Sequence, residues 1–120
     1  MKRIFAALTF IAFAGACAAP IESRRLLHLE PDQIAEMKAV VTHNFKDPNS
    51  AEFRGIKWFE NVHEDGKVSN FACGQVNGKN SFGGFVGFRT FTGRFDGEMF
   101  VLHAIANNDT EWVISGLCPK

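Results

Sequence analysis

Apolar residues recur every three to four positions along one segment in the first half of the chain, at Ile34, Met37, Val41 and Phe45. That spacing places the four side chains on one face of an α-helix. Pro31 suits the first position of a helix, and the turn signal Asp47-Pro48 lies beyond its end. The pattern predicts an amphipathic helix over residues 31–44.

From Arg54 onward the apolar period changes to two, which is typical of strands with one buried face. Turn signals, the clearest of them Asp65-Gly66, separate five predicted strands at residues 54–62, 68–76, 85–95, 98–106 and 112–117. A helix followed by strands that are joined by hairpins predicts an α+β domain. In this fold, one N-terminal helix packs on an antiparallel sheet of about five strands.

Residues 73–88 are the stretch around which the rest of the chain is arranged. They hold five of the chain's eleven glycines and a polar run between two apolar arms. The arms are predicted as strands and the polar run as the turn of a hairpin. This tip carries more hydrogen-bonding side chains than a chain reversal needs, so its polar residues are the candidate partner-binding residues: Asn77, Lys79, Asn80 and Ser81.

Four glycines alternate with phenylalanines along the third predicted strand, at Gly83, Gly84, Gly87 and Gly93. One interpretation is structural: glycine leaves room for aromatic rings or permits bulges that bend a sheet. The other is functional, because a backbone without Cβ atoms can approach a ligand closely. The sequence leaves both open.

The first 16 residues have the pattern of an export signal. Lys2 and Arg3 precede an apolar run and then small residues. The run is too short to span a bilayer, which needs roughly 20 apolar residues. The predicted organisation is a signal peptide over residues 1–16, a polar tether over residues 17–29 and a single domain over residues 30–120.

The small residues before Cys17 resemble the lipobox of bacterial lipoproteins, in which the cysteine becomes a lipid-modified N-terminus. They also satisfy the small-residue rule for ordinary signal cleavage. The chain is therefore predicted either to be held by a lipid on Cys17 at the periplasmic face of the outer membrane or to be soluble in the periplasm. Both places are oxidising, so the remaining pair, Cys73 and Cys118, predicts one disulfide bond.

Charge and motif spacing exclude several kinds of chemistry. Without Lys2 and Arg3 the chain carries 11 basic and 13 acidic residues, which argues against nucleic acid as a partner. Gly74 and Gly78-Lys79 do not have the spacing of a phosphate-binding P-loop. The histidines lack the paired spacing of metal ligands. The sequence therefore predicts no catalytic set, no cofactor and no metal site, and hence a protein that is not an enzyme.

Two motifs in this order resemble a family of small, mostly uncharacterised exported proteins and lipoproteins of proteobacteria and their prophages. The motifs are Asp47-Pro48-x-Ser50-Ala51-x-Phe53-Arg54 and Cys73-Gly74-x-Val76-Asn77-x-Lys79-Asn80-Ser81-x-Gly83-Gly84-Phe85. The similarity covers roughly residues 34–91. It implies a bacterial envelope location and no particular activity.

These observations predict a binding protein of the cell envelope that contacts another envelope protein or a cell-wall component through the hairpin tip. An alternative is an inhibitor of a cell-wall hydrolase, because residues 81–85 are loosely similar to the Ser-Gly-containing loop of periplasmic lysozyme inhibitors. Those inhibitors are also small and disulfide-bonded.

Overall fold

The computed structural model describes residues 19–120, so the predicted signal peptide and Cys17 lie outside the described part. Its helices and strands follow in the order β1 (Ile21–Leu27), α1 (Pro31–Val41), β2 (Glu52–His63), β3 (Val68–Asn77), β4 (Arg89–Asp96), β5 (Met99–Ile105) and α2 (Glu111–Leu117), with a short 3₁₀ turn at Pro48–Ser50. The five strands form one antiparallel sheet in the order β1-β2-β3-β4-β5. The predicted α+β class is confirmed.

Helix α1 begins at the predicted residue because its first turn is capped. The backbone N–H of Glu30 donates to Gln33 Oε1 at 2.9 Å, and Pro31 occupies the first helical position. The helix ends at Val41, three residues before the predicted end at 44, and Thr42 caps it. Met37 and Val41 are buried, so the predicted apolar face is the one that packs on the sheet.

The core lies between α1 and one face of the sheet. Its buried side chains come from α1, β3, β4 and β5: Met37, Val41, Ala72, Val76, Phe91, Phe95 and Phe100. The rings of Phe91 and Phe95 both meet Phe100 edge to face, with centroids 6.5 Å and 5.2 Å away. Helix α2 packs on the opposite face, mainly against β4. The two helices therefore cover opposite faces of the part of the sheet that β3, β4 and β5 form.

The sheet begins earlier in the chain than the sequence pattern predicts. Residues 21–27, inside the predicted tether, form β1 and pair with β2 from Ile21–His63 to Leu27–Trp58. The helix is therefore the second element, and its prediction as the N-terminal one is corrected. Almost every side chain of β1 is exposed, so no apolar alternation marks the strand. Polar and charged residues are what an exposed edge strand carries.

The last element of the chain also differs from its prediction. Residues 112–117, predicted as the last strand, lie in α2. Side chain Asn107 Oδ1 accepts from the backbone N–H groups of Asp109 at 2.9 Å and Thr110 at 3.0 Å, which starts the helix. The carboxylate of Glu111 then accepts from Thr90 Oγ1 at 2.6 Å. The count of five strands holds because β1 takes the place of the predicted last strand.

The predicted disulfide pair is confirmed. Cys73 of β3 and Cys118, which caps the end of α2, are at bonding distance, with Cα atoms 5.8 Å apart. Cys73 is fully buried on the α2 side of the sheet. The bond therefore attaches the C-terminal helix to a central strand.

Candidate functional site

The connection between β3 and β4, residues 78–88, is longer than the hairpin turn predicted from the sequence. β3 ends at Asn77 and β4 begins at Arg89, whereas the third strand was predicted to begin at residue 85. Within the connection, Lys79 pairs with Phe85 in an isolated antiparallel bridge, and the N–H of Asn80 donates to the carbonyl of Gly84 at 2.8 Å. The tip is therefore residues 81–84 and not 77–81. We refer to residues 78–88 as the tip loop.

Two of the four candidate partner-binding side chains hold the tip loop in shape. Asn80 Oδ1 accepts from the N–H groups of Phe82 at 2.9 Å and Gly84 at 3.1 Å. Asn77 is 8% exposed, and its Oδ1 accepts from the N–H of Gly87 at 3.0 Å. These are turn-forming bonds of the kind that asparagine makes in loops. They fix the backbone from both ends of the loop.

The glycines of this region serve different purposes. Gly83 and Gly87 have φ angles of 78° and 100°, which side chains rarely adopt, so the turns require them. In β4, a Cβ on Gly93 would lie 2.5 Å from the carbonyl oxygen of Val101 and against the ring of Phe100. Gly84 has neither restriction, since a Cβ there would meet only Asn80 at 3.7 Å. The structural interpretation thus accounts for three of the four glycines.

Phe82 lies at the tip of the loop, among residues 81–84, and is 97% exposed. Phe85 and Val86, on the returning arm, are partly exposed. Phe82 is not among the predicted contact residues, because that prediction rests on the polar side chains of the tip. The signal available was its position, a phenylalanine directly followed by two glycines inside a turn.

A cleft of about 340 Å³ lies under the tip loop, between it and the residues that follow α1. Three cationic residues line it, each from a different part of the chain: Lys46, Lys79 and Arg89. Its apolar lining comes from four parts of the chain: Phe45, Val76, Val86 and Ile105. Lys46 Nζ donates to Ser81 Oγ, and Lys79 Nζ lies 5.2 Å from the centre of the Phe85 ring. Among residues 19–120, no aspartate or glutamate lines the cleft. The remaining two predicted side chains, Lys79 and Ser81, thus belong to this cleft.

His63 and His103 each make separate contacts with their own neighbours. His63 Nδ1 lies 2.6 Å from the carbonyl oxygen of Ala19, and its Nε2 lies 2.7 Å from Ser69 Oγ. Arg94 Nη1 donates to His103 Nε2 at 3.2 Å. Within residues 19–120 no three side chains of His, Cys, Asp or Glu are grouped so that they could hold a metal ion. No helix of the same part of the chain is both long and apolar enough to cross a membrane.

The chain enters the sheet at the end opposite to the tip loop. Pro20 O accepts from the N–H of Glu64 at 2.9 Å, in the turn between β2 and β3. From that turn β3 runs ten residues to Asn77. A strand rises about 3.3 Å per residue, so roughly 30 Å separates the point of entry from the base of the tip loop.

Together these contacts define a loop whose backbone is held by its own hydrogen bonds, with an exposed aromatic residue at its tip and a cationic, partly apolar cleft at its base. Comparison of the chain with protein-family models, with curated proteins and with solved structures gives no match.

Proposed function

We propose that the protein is a non-enzymatic binding module of the bacterial cell envelope that contacts a protein or cell-wall partner through the tip loop. The observation that carries this proposal is Phe82, a large apolar side chain that is 97% exposed on a loop whose backbone is held by its own hydrogen bonds. A contact residue on a preorganised loop loses little conformational entropy on binding. Aromatic side chains at such positions contribute much of the affinity of protein interfaces.

The direction of the chain supports the same proposal. The signal-like leader precedes Ala19, and Ala19 lies at the end of the sheet opposite to the tip loop. A lipid on Cys17 would therefore hold the domain by one end and present Phe82 at the other, away from the membrane. Intact mass of the protein from a bacterial envelope is expected to match a diacylated chain that begins at Cys17. An unmodified N-terminus would support the soluble periplasmic form instead.

Inhibition of a cell-wall hydrolase is the second candidate. Glycoside hydrolases carry two catalytic carboxyl groups in a cleft. The ammonium groups of Lys46 and Lys79 lie beside the tip loop, and their charge is opposite to that of such a cleft. In this version the partner of Phe82 is an enzyme.

The proposal is tested by comparing three forms of the protein in pull-downs from bacterial envelope extracts. The forms are the wild type, Phe82→Ala and Trp112→Ala, the last as a control because Trp112 is an aromatic residue of α2 that is 77% exposed. We expect at least one protein or cell-wall fragment to be recovered by the wild type and the control but about tenfold less by Phe82→Ala. A factor of ten corresponds to about 1.4 kcal/mol, which a buried aromatic contact readily supplies.

Quantitative mass spectrometry of the recovered material measures how much of each component each form recovers. Equal recovery of every component by Phe82→Ala and the wild type would contradict the proposal. Loss with Trp112→Ala alone would move the contact surface to α2. A cell-wall hydrolase among the components lost with Phe82→Ala would support the second candidate.

A further inference from the structure

We infer that the cleft under the tip loop binds a small organic anion, a carboxylate or phosphate joined to an apolar group. This goes beyond the contact made by Phe82, since the cleft and the tip are different surfaces of the loop. The inference begins with Arg89, a half-buried residue that lines the cleft. Its guanidinium forms no hydrogen bond and no ion pair with any side chain or carbonyl of residues 19–120, whereas Arg24, Arg25, Arg54 and Arg94 each have a polar partner.

An arginine in a cleft that has no acceptor from the chain binds carboxylates and phosphates especially well. The guanidinium presents its N–H donors in a planar fork that matches the two oxygens of a carboxylate or phosphate. Arg89 is the first residue of β4 and pairs with Val76 of β3, so the sheet fixes its backbone. The site therefore offers a fork of donors, on a backbone that the sheet holds in place, to which no acceptor of residues 19–120 is bonded.

The surroundings of Arg89 add charge of the same sign. Lys46 and Lys79 line the same cleft, and no carboxylate of the described part of the chain lines it. Three cations around one cleft repel one another, and an anion bound between them removes that repulsion. The cations also come from different elements, namely the segment after α1, the tip loop and β4. An anion there would hold these three parts of the chain together.

The rest of the cleft is apolar, and this determines the class of ligand. Phe45, Val76 and Val86 line it together with Ile105. A bare inorganic anion would leave these side chains without a contact, whereas an anion with a short hydrocarbon group would cover them and gain from their burial. The volume of about 340 Å³ falls at the small end of the range of ligand pockets. A small amphiphilic anion fits both the charge and the size.

Four probes separate the parts of this inference in titration calorimetry with the exported protein. Octanoate and octyl phosphate carry both features, octanol carries only the apolar group, and inorganic phosphate carries only the charge. We expect saturable binding of octanoate, octyl phosphate or both at one site, and affinity at least about tenfold weaker for octanol and inorganic phosphate. The better of the two amphiphiles identifies the headgroup.

Two arginine variants test the location. Arg89→Gln is expected to weaken binding of the better amphiphile at least about tenfold. Arg94→Gln removes the same charge from the opposite face of the sheet, beside His103, and is expected to leave binding within about twofold of the wild type. If Arg89→Gln does not fold, Lys46→Gln replaces it, because Lys46 is exposed outside the helices and strands. Absence of binding of both amphiphiles, equal binding of octanol, or equal effects of the cleft variant and Arg94→Gln would overturn the inference.

Discussion

Replacing Cys118 by serine is expected to lower the free energy of unfolding by about 4 kcal/mol. The Cys73–Cys118 bond closes a loop of 45 residues, and the chain-entropy model assigns that loop a stabilisation of this size. Folded domains of ordinary stability are held by only about 5 to 15 kcal/mol, so the loss is a large share of the total. No residue of α2 is buried, and the helix therefore depends on this bond and on the Glu111–Thr90 contact.

Urea unfolding, followed by circular dichroism, measures the effect. Reduced wild-type protein and the double variant Cys73→Ser, Cys118→Ser serve as controls, and both should match the single variant within about 1 kcal/mol. Two thiols that react under denaturing, non-reducing conditions would show that the bond does not form. A change of less than about 1 kcal/mol in the variant would show that the bond does not support the fold.

Replacing Phe91 by alanine is expected to lower the free energy of unfolding by about 3 to 5 kcal/mol. Phe91 is 0% exposed, and its ring lies between Phe53 and Phe100, with centroids 5.9 Å and 6.5 Å away. It also covers Gly74, where a Cβ would come within 2.9 Å of the ring. Truncation leaves a cavity that the paired strands on both sides cannot close.

Phe82→Ala is the matched control, since the chemical change is the same and the side chain is almost fully exposed. We expect it to change stability by less than about 0.5 kcal/mol. Urea unfolding of both variants at one pH checks the pair. A Phe82→Ala loss as large as that of Phe91→Ala would show that Phe82 is part of the core, and a small Phe91→Ala loss would contradict the packing described above.

The parts of the fold that could be predicted are those whose burial leaves a period in the sequence. α1 buries one apolar face, and the core side chains of the central strands recur at even spacings, at Ala72 and Val76 in β3 and at Phe91 and Phe95 in β4, so their positions follow from the spacing of apolar side chains. β1 exposes nearly all its side chains and is held by its backbone pairing with β2. A strand without a buried face carries no such period.

The C-terminal helix was missed because two signals disagree. Trp112, Val113 and Ile114 favour a strand by intrinsic preference. Asn107 starts a helix instead, and Glu111 and Cys118 attach it to the sheet through Thr90 and Cys73. Tertiary contacts between residues that are distant in sequence thus override the local preference. Of these contacts, the sequence predicts only the Cys73–Cys118 disulfide.

The candidate site was predictable in location but not in composition. Its run of asparagine and glycine marks residues 77–81 as an irregular connection, because these residues form turns. The exposure of Phe82 runs against the usual burial of phenylalanine, and its position before two glycines in a turn is the one local signal for it. Lys46 and Arg89 join the cleft only because α1 and β4 bring distant segments together. Such a convergence follows from the fold and leaves no motif in the sequence.

The central claim, that the tip loop is the contact surface, is tested most directly by photo-crosslinking in intact bacteria. Full-length protein carries a benzophenone amino acid at position 82, and a second form carries it at position 112, which is also well exposed. Irradiation is expected to give a discrete crosslinked species from position 82 that position 112 does not give. No crosslinked species from position 82, or the same species from both positions, would contradict the account.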